Sequence, residues 1–221
     1  MMASDTDTCK NCRKEVENPR YYAGVGCVCS EDCFRAVKVP IKLRQAGLDE
    51  GLYAEMRLDN FEFGDNGLKE SLYYYLEHPD PKGWAFLGDV GVGKTHLAVG
   101  MAREMIERYM LTAKVISTPA LMASFYDNMK VDGRIHSLME LYKEVDLLVL
   151  DDIGTELPSD YAKTQIFLVM DHRLMHKKLT LLTSNYSIRI IAERVGDRIA
   201  SRILQMCRPV NISGGDYRLN K

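Results

Sequence analysis

The sequence predicts an α/β fold, a parallel sheet flanked by helices, with a small cysteine-rich module in front of it. Short apolar runs alternate with longer amphipathic ones from residue 84 onward, and alternation of this kind builds a parallel sheet covered by crossover helices. One strand-to-helix junction carries Gly88-Asp89-Val90-Gly91-Val92-Gly93-Lys94-Thr95, a complete phosphate-loop pattern. Five of the six cysteines fall between Cys9 and Cys33, a clustering that favours metal binding over disulfides in a chain of cytoplasmic character.

Three zones follow from these signals: a cysteine-rich, zinc-binding head at residues 1–38, a linker and leading segment at 39–82, and a nucleotide-binding core at 83–221. A length of 221 residues suits one full domain with a small appendage. In the head, Cys9-x-x-Cys12 and Cys29-x-x-x-Cys33 flank a stretch with Pro19, Gly24 and Gly26, which resembles a treble-clef zinc knuckle whose second pair opens a helix. Cys27 is one thiol too many. The run from Cys29 to Phe34 looks more like the start of a zinc-knuckle helix, so Cys27 is read as the spare. A head this small needs the metal to fold.

In the linker, Tyr73, Tyr74 and Tyr75 cannot share one helix face, so at least one is expected to be partly exposed. Residues 84–87 read as the first core strand and 95–109 as the helix after the phosphate loop. Residues 114–117 read as a strand and 119–129 as a helix, with Thr118 as its cap and Pro119 at its first position. Residues 147–150 form a buried strand ending in Asp151 and Asp152. Pro158-Ser159 closes a loop and offers a cap for a helix over 160–176. On that helix His172 and His176 stand at i,i+4, read as a solvated face for want of a third metal ligand. Residues 179–183 form the next strand, and Cys207 reads as a core residue.

The loop pattern has a mechanical reason. Glycines let successive backbone amides turn inward around phosphates at the start of a helix whose dipole favours anions. The expected ATP-binding set is therefore Gly88, Asp89, Val90, Gly91, Val92, Gly93, Lys94, Thr95 and His96, with Asp151. Lys94 reaches the β and γ phosphates, and Thr95 and Asp151 hold magnesium. Asp152 orients or deprotonates the attacking water. Asn185, at the end of the following strand, aligns that water or is simply a turn-forming residue.

Residues 82–98, 146–156, 183–186 and 197–203, which contain the phosphate loop, the Asp151-Asp152 pair, Thr183-Ser-Asn185 and Asp197-Arg-Ile-Ala-Ser-Arg-Ile203, together resemble the DnaC/DnaI-type AAA+ ATPases. Helicase loaders and the IstB-type transposition helpers belong to that family. The resemblance implies a P-loop AAA+ core with a five-stranded parallel sheet, ATP hydrolysis, and homo-oligomerisation around single-stranded DNA. It also implies a replicative DnaB-type helicase as partner, gripped by the zinc head. Carried over onto these residues, Lys94 and Thr95 are Walker A positions, Asp151 and Asp152 Walker B, and Asn185 the first sensor. Arg202 is the arginine finger with Arg198 beside it; the alternative for Arg202 is a surface salt bridge to Asp197 or Glu193. Asp152 departs from the glutamate usual in AAA+ enzymes. The stretch after Ile212 leaves no room for a full helical lid, and Arg218 is a weak candidate for a second sensor.

A net charge of −2 supplies no global attraction to nucleic acid or membrane. Residues 186–221 nevertheless carry seven basic side chains against three acidic ones, so that end is locally positive. Phe125, Tyr126, Lys130, Arg134 and Lys143 mix aromatics with bases and suit a single strand of nucleic acid, although a plain amphipathic helix pair explains them as well. The head's Lys10, Arg13, Lys14 and Arg20 are matched by nearby acids, which favours a protein partner. The first eight residues hold no signal-like apolar run, and residues 145–150 are too few to span a bilayer. The expectation is a cytoplasmic protein without a membrane partner. Two other functions stay open: a transposition helper, and a nucleotide switch that barely turns over.

Overall fold

The computed structural model describes residues 6–17, 20–23, 25–64, 67–128, 134–155 and 159–217. In the head, β1 (Thr6–Thr8) pairs antiparallel with β2 (Glu15–Glu17), and β3 (Arg20–Tyr22) with β4 (Gly26–Val28). Helix α1 (Glu31–Ala46) follows directly. The Ser30 hydroxyl caps it by accepting from Cys33 N at 3.2 Å, and Gly47 ends it in the left-handed conformation at φ 82°. The helix therefore runs straight across the expected boundary at residue 38. Its early half carries Cys33, while Leu43 and Ala46 in its later half are buried in the main core.

The linker folds as α2 (Gly51–Glu55), a 3-10 turn (Leu58–Asn60) and α3 (Leu68–Glu77). On α3, Tyr75 is buried and Tyr74 is exposed, as three consecutive tyrosines require. The core then alternates β5 (Gly83–Leu87), α4 (Lys94–Tyr109), β6 (Ala113–Ser117), α5 (Thr118–Asn128), α6 (Arg134–Glu144), β7 (Leu147–Asp151), α7 (Asp160–Met175), β8 (Leu179–Ser184), α8 (Ile188–Val195), α9 (Asp197–Met206) and β9 (Cys207–Asn211). The strands form one parallel sheet in the order β6-β7-β8-β5-β9. Strands β7 and β8 are buried at every position, which is what uninterrupted apolar runs in a doubly covered sheet predict.

Side chains divide by parity between the two faces. Phe86, Leu147, Val149 and Leu181 pack under α1, α3 and α4, whereas Ala85, Leu87, Leu148, Leu150 and Leu182 pack under α5 to α9. Cys207 is fully buried and its Sγ donates to Thr180 O at 3.3 Å, a core role as expected.

Some local expectations need correction. The hydroxyl that caps α5 belongs to Ser117, which accepts from Ala120 N at 3.3 Å, so Thr118 already lies inside the helix. Residues 207–211, which are not among the runs read as strands, form β9; Pro209 is tolerated there because the strand is at the sheet edge. Ser159 caps α7 as expected, accepting from Ala162 N, while Pro158 lies outside the described residues. His172 and His176 stack on each other with ring centroids 4.0 Å apart, and His172 Nε2 meets Glu144 Oε1 at 2.8 Å, a surface pairing.

Candidate functional site

The phosphate loop spans the turn from β5 to α4, and its neighbours fix it from three sides. Gly88 N–H donates to Ser184 O on β8 at 3.2 Å, tying the loop to the adjacent strand. Gly93, at φ 89°, begins α4 with Lys94 and Thr95 in the first helical turn. Lys94 is almost fully buried, with its ammonium donating to Asp89 O at 2.5 Å across the loop. His96 Nε2 lies 2.8 Å from both Arg57 O and Asn60 Oδ1, so it secures the linker rather than facing the loop. The ring of Phe61 lies 2.5 Å from where a Cβ on Gly93 would stand.

The acidic strand end comes directly beneath Thr95. Thr95 Oγ1 donates to Asp151 Oδ1 at 2.8 Å, and Thr183 Oγ1 donates to the same oxygen at 2.6 Å. The Thr183 hydroxyl in turn accepts from Asp152 N at 2.9 Å. Asp151 is thus buried with both hydrogen bonds directed at one oxygen. Asp152 turns out of the strand at φ 57°, a left-handed conformation that aspartate tolerates better than most residues. Asn185 follows β8 half-buried, one residue beyond the Leu87–Ser184 register pair, which sets it beside the start of the phosphate loop. Burial, and then the charges of Asp151 and Asp152, push the phenol pKa of Tyr53 on α2 up.

Arg202 lies on α9 and is held by α7. Its Nη2 and Nε meet one oxygen, Asp171 Oδ1, at 2.7 and 2.8 Å. The partner is thus Asp171, about three turns into a different helix, and not Asp197 or Glu193, the alternative the sequence offered. Arg198 stacks 4.0 Å over the Phe167 ring and Arg202 lies 5.4 Å from it, so the two arginines share one aromatic platform.

The head brings Cys9, Cys12, Cys29 and Cys33 together, all four Sγ atoms within 4.8 Å of one another, and leaves the buried Cys27 out. Cys29 Sγ is 3.5 Å from Cys12 Sγ and 3.4 Å from Cys33 Sγ. A tetrahedral zinc with bonds of about 2.3 Å holds its sulfurs about 3.8 Å apart, so the donor set fits that ion. The Cys12 backbone N–H draws the Cys9 thiol down to about 6, while hydrogen bonding to Cys33 and Cys12 pushes Cys29 up to about 12. Unequal thiols sharing protons at this spacing are what a dication would resolve.

Sequence patterning does not single out several residues that shape the site. Thr183 reads as an ordinary strand residue, yet its hydroxyl links both acids. Arg194 donates to Gly154 O and, at 2.9 Å, to Thr155 O, and it lies 4.7 Å over Tyr186, so it pins the loop after β7. Arg103, buried in α4, donates to Leu48 O, Tyr53 O and Ala54 O and so clamps the linker to the core. The candidate nucleic-acid residues fare unevenly. Phe125 is fully buried and cannot stack on a base, and Lys143 pairs with Glu140 at 3.0 Å; of the three whose side chains are described, Tyr126 is exposed. Lys130, Arg218 and the side chains of Arg20 and Arg134 lie outside the described residues.

Compared with known proteins, residues 79–221 match the family described as IstB-like ATP binding protein. The chain is 26% identical over 175 residues to the replicative helicase loader DnaC of Escherichia coli (strain K12), which covers 76% of this chain and 71% of that one. It is 29% identical over 143 residues to the insertion sequence IS232 putative ATP-binding protein of Bacillus thuringiensis subsp. berliner, covering 61% and 54% respectively. Among solved structures, the crystal structure of the DnaC helicase loader superposes with a TM-score of 0.66 at 28% identity, covering 72% of this chain and 97% of that one.

Proposed function

Because the chain belongs to the IstB-like ATP-binding family, it is a P-loop ATPase of the AAA+ class, and we propose that it uses ATP to load a replicative ring helicase onto single-stranded DNA. The hydrogen bond from Thr95 to Asp151 carries the ATPase reading, because it joins the end of the phosphate loop to the acid strand in the arrangement a hydrated magnesium bridges. In that reading Lys94 faces the β and γ phosphates, Thr95 and Asp151 hold the magnesium, and Asp152 with Asn185 positions the attacking water. Loading is favoured over transposition help because the likeness extends over 71% of the DnaC loader but 54% of the insertion-sequence protein.

Four further assignments complete the proposal. Zinc sits in the Cys9, Cys12, Cys29 and Cys33 cluster and organises a head that binds a DnaB-type helicase. Subunits assemble on nucleotide or DNA, and Arg202 leaves Asp171 to reach the γ phosphate of a neighbour. The protein works in the cytoplasm; no helix among the described residues is long and apolar enough to cross a membrane. Tyr126 is the remaining exposed aromatic of the expected strand-contact set.

One mixing experiment tests the assembly and the site together. Lys94→Ala should lose ATP binding, and Arg202→Ala should bind ATP yet hydrolyse it about 10³-fold more slowly, in the range of trans-acting fingers. Combined, the two inactive variants should recover ATPase, since each supplies what the other lacks. Exchange of subunits without recovered turnover removes Arg202 from the trans role. Co-purification of the intact protein with a transposase, and not with a hexameric helicase, replaces loading by the transposition reading.

A further inference from the structure

The segment after β9 returns across the phosphate loop. Ile212 N–H donates to Leu87 O at 2.7 Å, just beyond the last β5–β9 register pair, and Tyr217 N–H donates to Gly91 O at 3.2 Å. Between these anchors, Ser213, Gly214 and Gly215 are exposed and adopt no regular structure. A Cβ on Gly215 would meet nothing within 4 Å, and one on Gly214 only the edge of the Tyr217 ring at 3.9 Å. Two adjacent glycines in open space form a pivot.

Two loop glycines lie against this segment. At Gly88, with φ 142°, a Cβ would stand 2.1 Å from Ile212 O. At Gly91, with φ 82°, it would stand 2.0 Å from Asp216 Oδ1 and 2.1 Å from Asp216 Cγ. Adding a bond of about 1.5 Å, the carboxylate oxygen lies within about 3.5 Å of the Gly91 α-carbon. A half-buried carboxylate thus rests on the bend of a loop whose amides are arranged for polyphosphate.

We propose that residues 212–217 form a strap on the phosphate loop and that Asp216 sets nucleotide affinity through its charge. The carboxylate opposes the incoming triphosphate, and binding of ATP swings the strap off the loop about Gly214 and Gly215. By reciprocity, whatever lifts the strap tightens ATP binding by the same factor. Repulsion between the carboxylate and phosphate charges grows with their number, so discrimination falls in the order ATP, ADP, AMP. The inference rests on residues 88–95 being the ATP site.

The test is Asp216→Asn, which keeps the shape, removes the charge and turns one acceptor oxygen into an amide donor. Affinities for ATP, ADP and AMP are measured by calorimetry at low and high salt, with Lys94→Ala alongside. ATP should bind about 3- to 10-fold more tightly at low salt, the gap should shrink with screening, and AMP should change little. Hydrogen exchange of the Tyr217 amide of the unmutated protein, which donates to Gly91 O, should accelerate when a non-hydrolysable ATP analogue binds. Unchanged or weaker ATP affinity in Asp216→Asn, an equal shift for AMP, or slower exchange on binding overturns the strap. Loss of ATP affinity in Lys94→Ala beside an unaltered Asp216→Asn sinks the strap while leaving the ATP site standing. Failure of the unmutated protein to bind ATP sinks both.

Discussion

The Thr183 hydroxyl contacts Asp151 Oδ1 and the amide of Asp152 at once, so one oxygen aligns the acid proposed to hold magnesium with the one proposed to position water. Thr183→Val preserves shape and removes both bonds, leaving a buried carboxylate oxygen with one donor fewer. The expected cost is about 1–3 kcal/mol of stability, read from denaturant unfolding, together with weaker magnesium-dependent ATP binding. Asp152→Asn should behave differently. Nucleotide still binds because Asp151 is intact, while turnover falls by about 10² to 10⁴, the usual contribution of a general base; turnover at the normal rate takes Asp152 out of the hydrolytic step. Lys94, Thr95, Asp151 and Asp152 are legible in sequence because the spacing of glycines and the end of an apolar strand are one-dimensional signals. Thr183 is not, since its role depends on two partners 31 and 32 positions away, which only the β7–β8 register brings near. The same limit applies to Asp171, whose grip on Arg202 joins two helices that share no local pattern.

At the scale of elements, Arg173 shows how far a helix end depends on one side chain. It is fully buried on α7 and donates to the carbonyls of Tyr142, Lys143, Val145, Asp146 and Leu179 as well as to Thr180 Oγ1. Four of those carbonyls belong to the end of α6 and the turn into β7, so the guanidinium caps α6 from outside. Burial pulls its pKa downward, yet the ring of carbonyl oxygens keeps an arginine charged. Arg173→Met fills the space and abandons the acceptors. A loss of about 3 kcal/mol or more is expected, and at about 2–4 °C per kcal/mol for a chain of this size it appears as a melting point lower by roughly 6–12 °C. An unchanged melting point means water replaces the guanidinium at no cost. The strands β5 to β8 and helices α4, α5 and α7 are all visible in the alternation of apolar runs. Strand β9 is not, because Arg208, Pro209 and Asn211 break up the apolar pattern of a segment whose pairing is decided by the open edge of β5.

At the scale of the molecule, the head and the core are joined more closely than composition suggests. Leu43, Ala46 and Leu48 lie in the main core, and Leu48 O accepts from the buried Arg103. Removing residues 1–30 should therefore leave ATP binding and the core melting transition in place, whereas removing residues 1–49 should lower that transition by stripping buried leucines, each worth about 1.5–3 kcal/mol. Matching melts for the two truncations contradict this division. The composition change near residue 38 marks where the cysteines stop, and a helix has no reason to stop with them. Its own end is written at Gly47, directly after the buried Ala46.

Helix α1 is also a mechanical part. Sixteen residues at about 1.5 Å each make a rod of about 24 Å, with Cys33 at one end and the sheet's neighbours at the other. Arg35 fastens it partway by donating to Glu107 O and Arg108 O at the end of α4. Pro40 lacks the N–H that would bond back one turn, so the rod has a single weak joint between the half that bears the cysteine cluster and the half set in the core. A load applied to the head is delivered past that joint to Leu43 and Ala46, and through Arg35 to the far end of the helix that begins at the phosphate loop. Torque on the cysteine module is thereby felt along the same helix whose first turn carries Lys94 and Thr95.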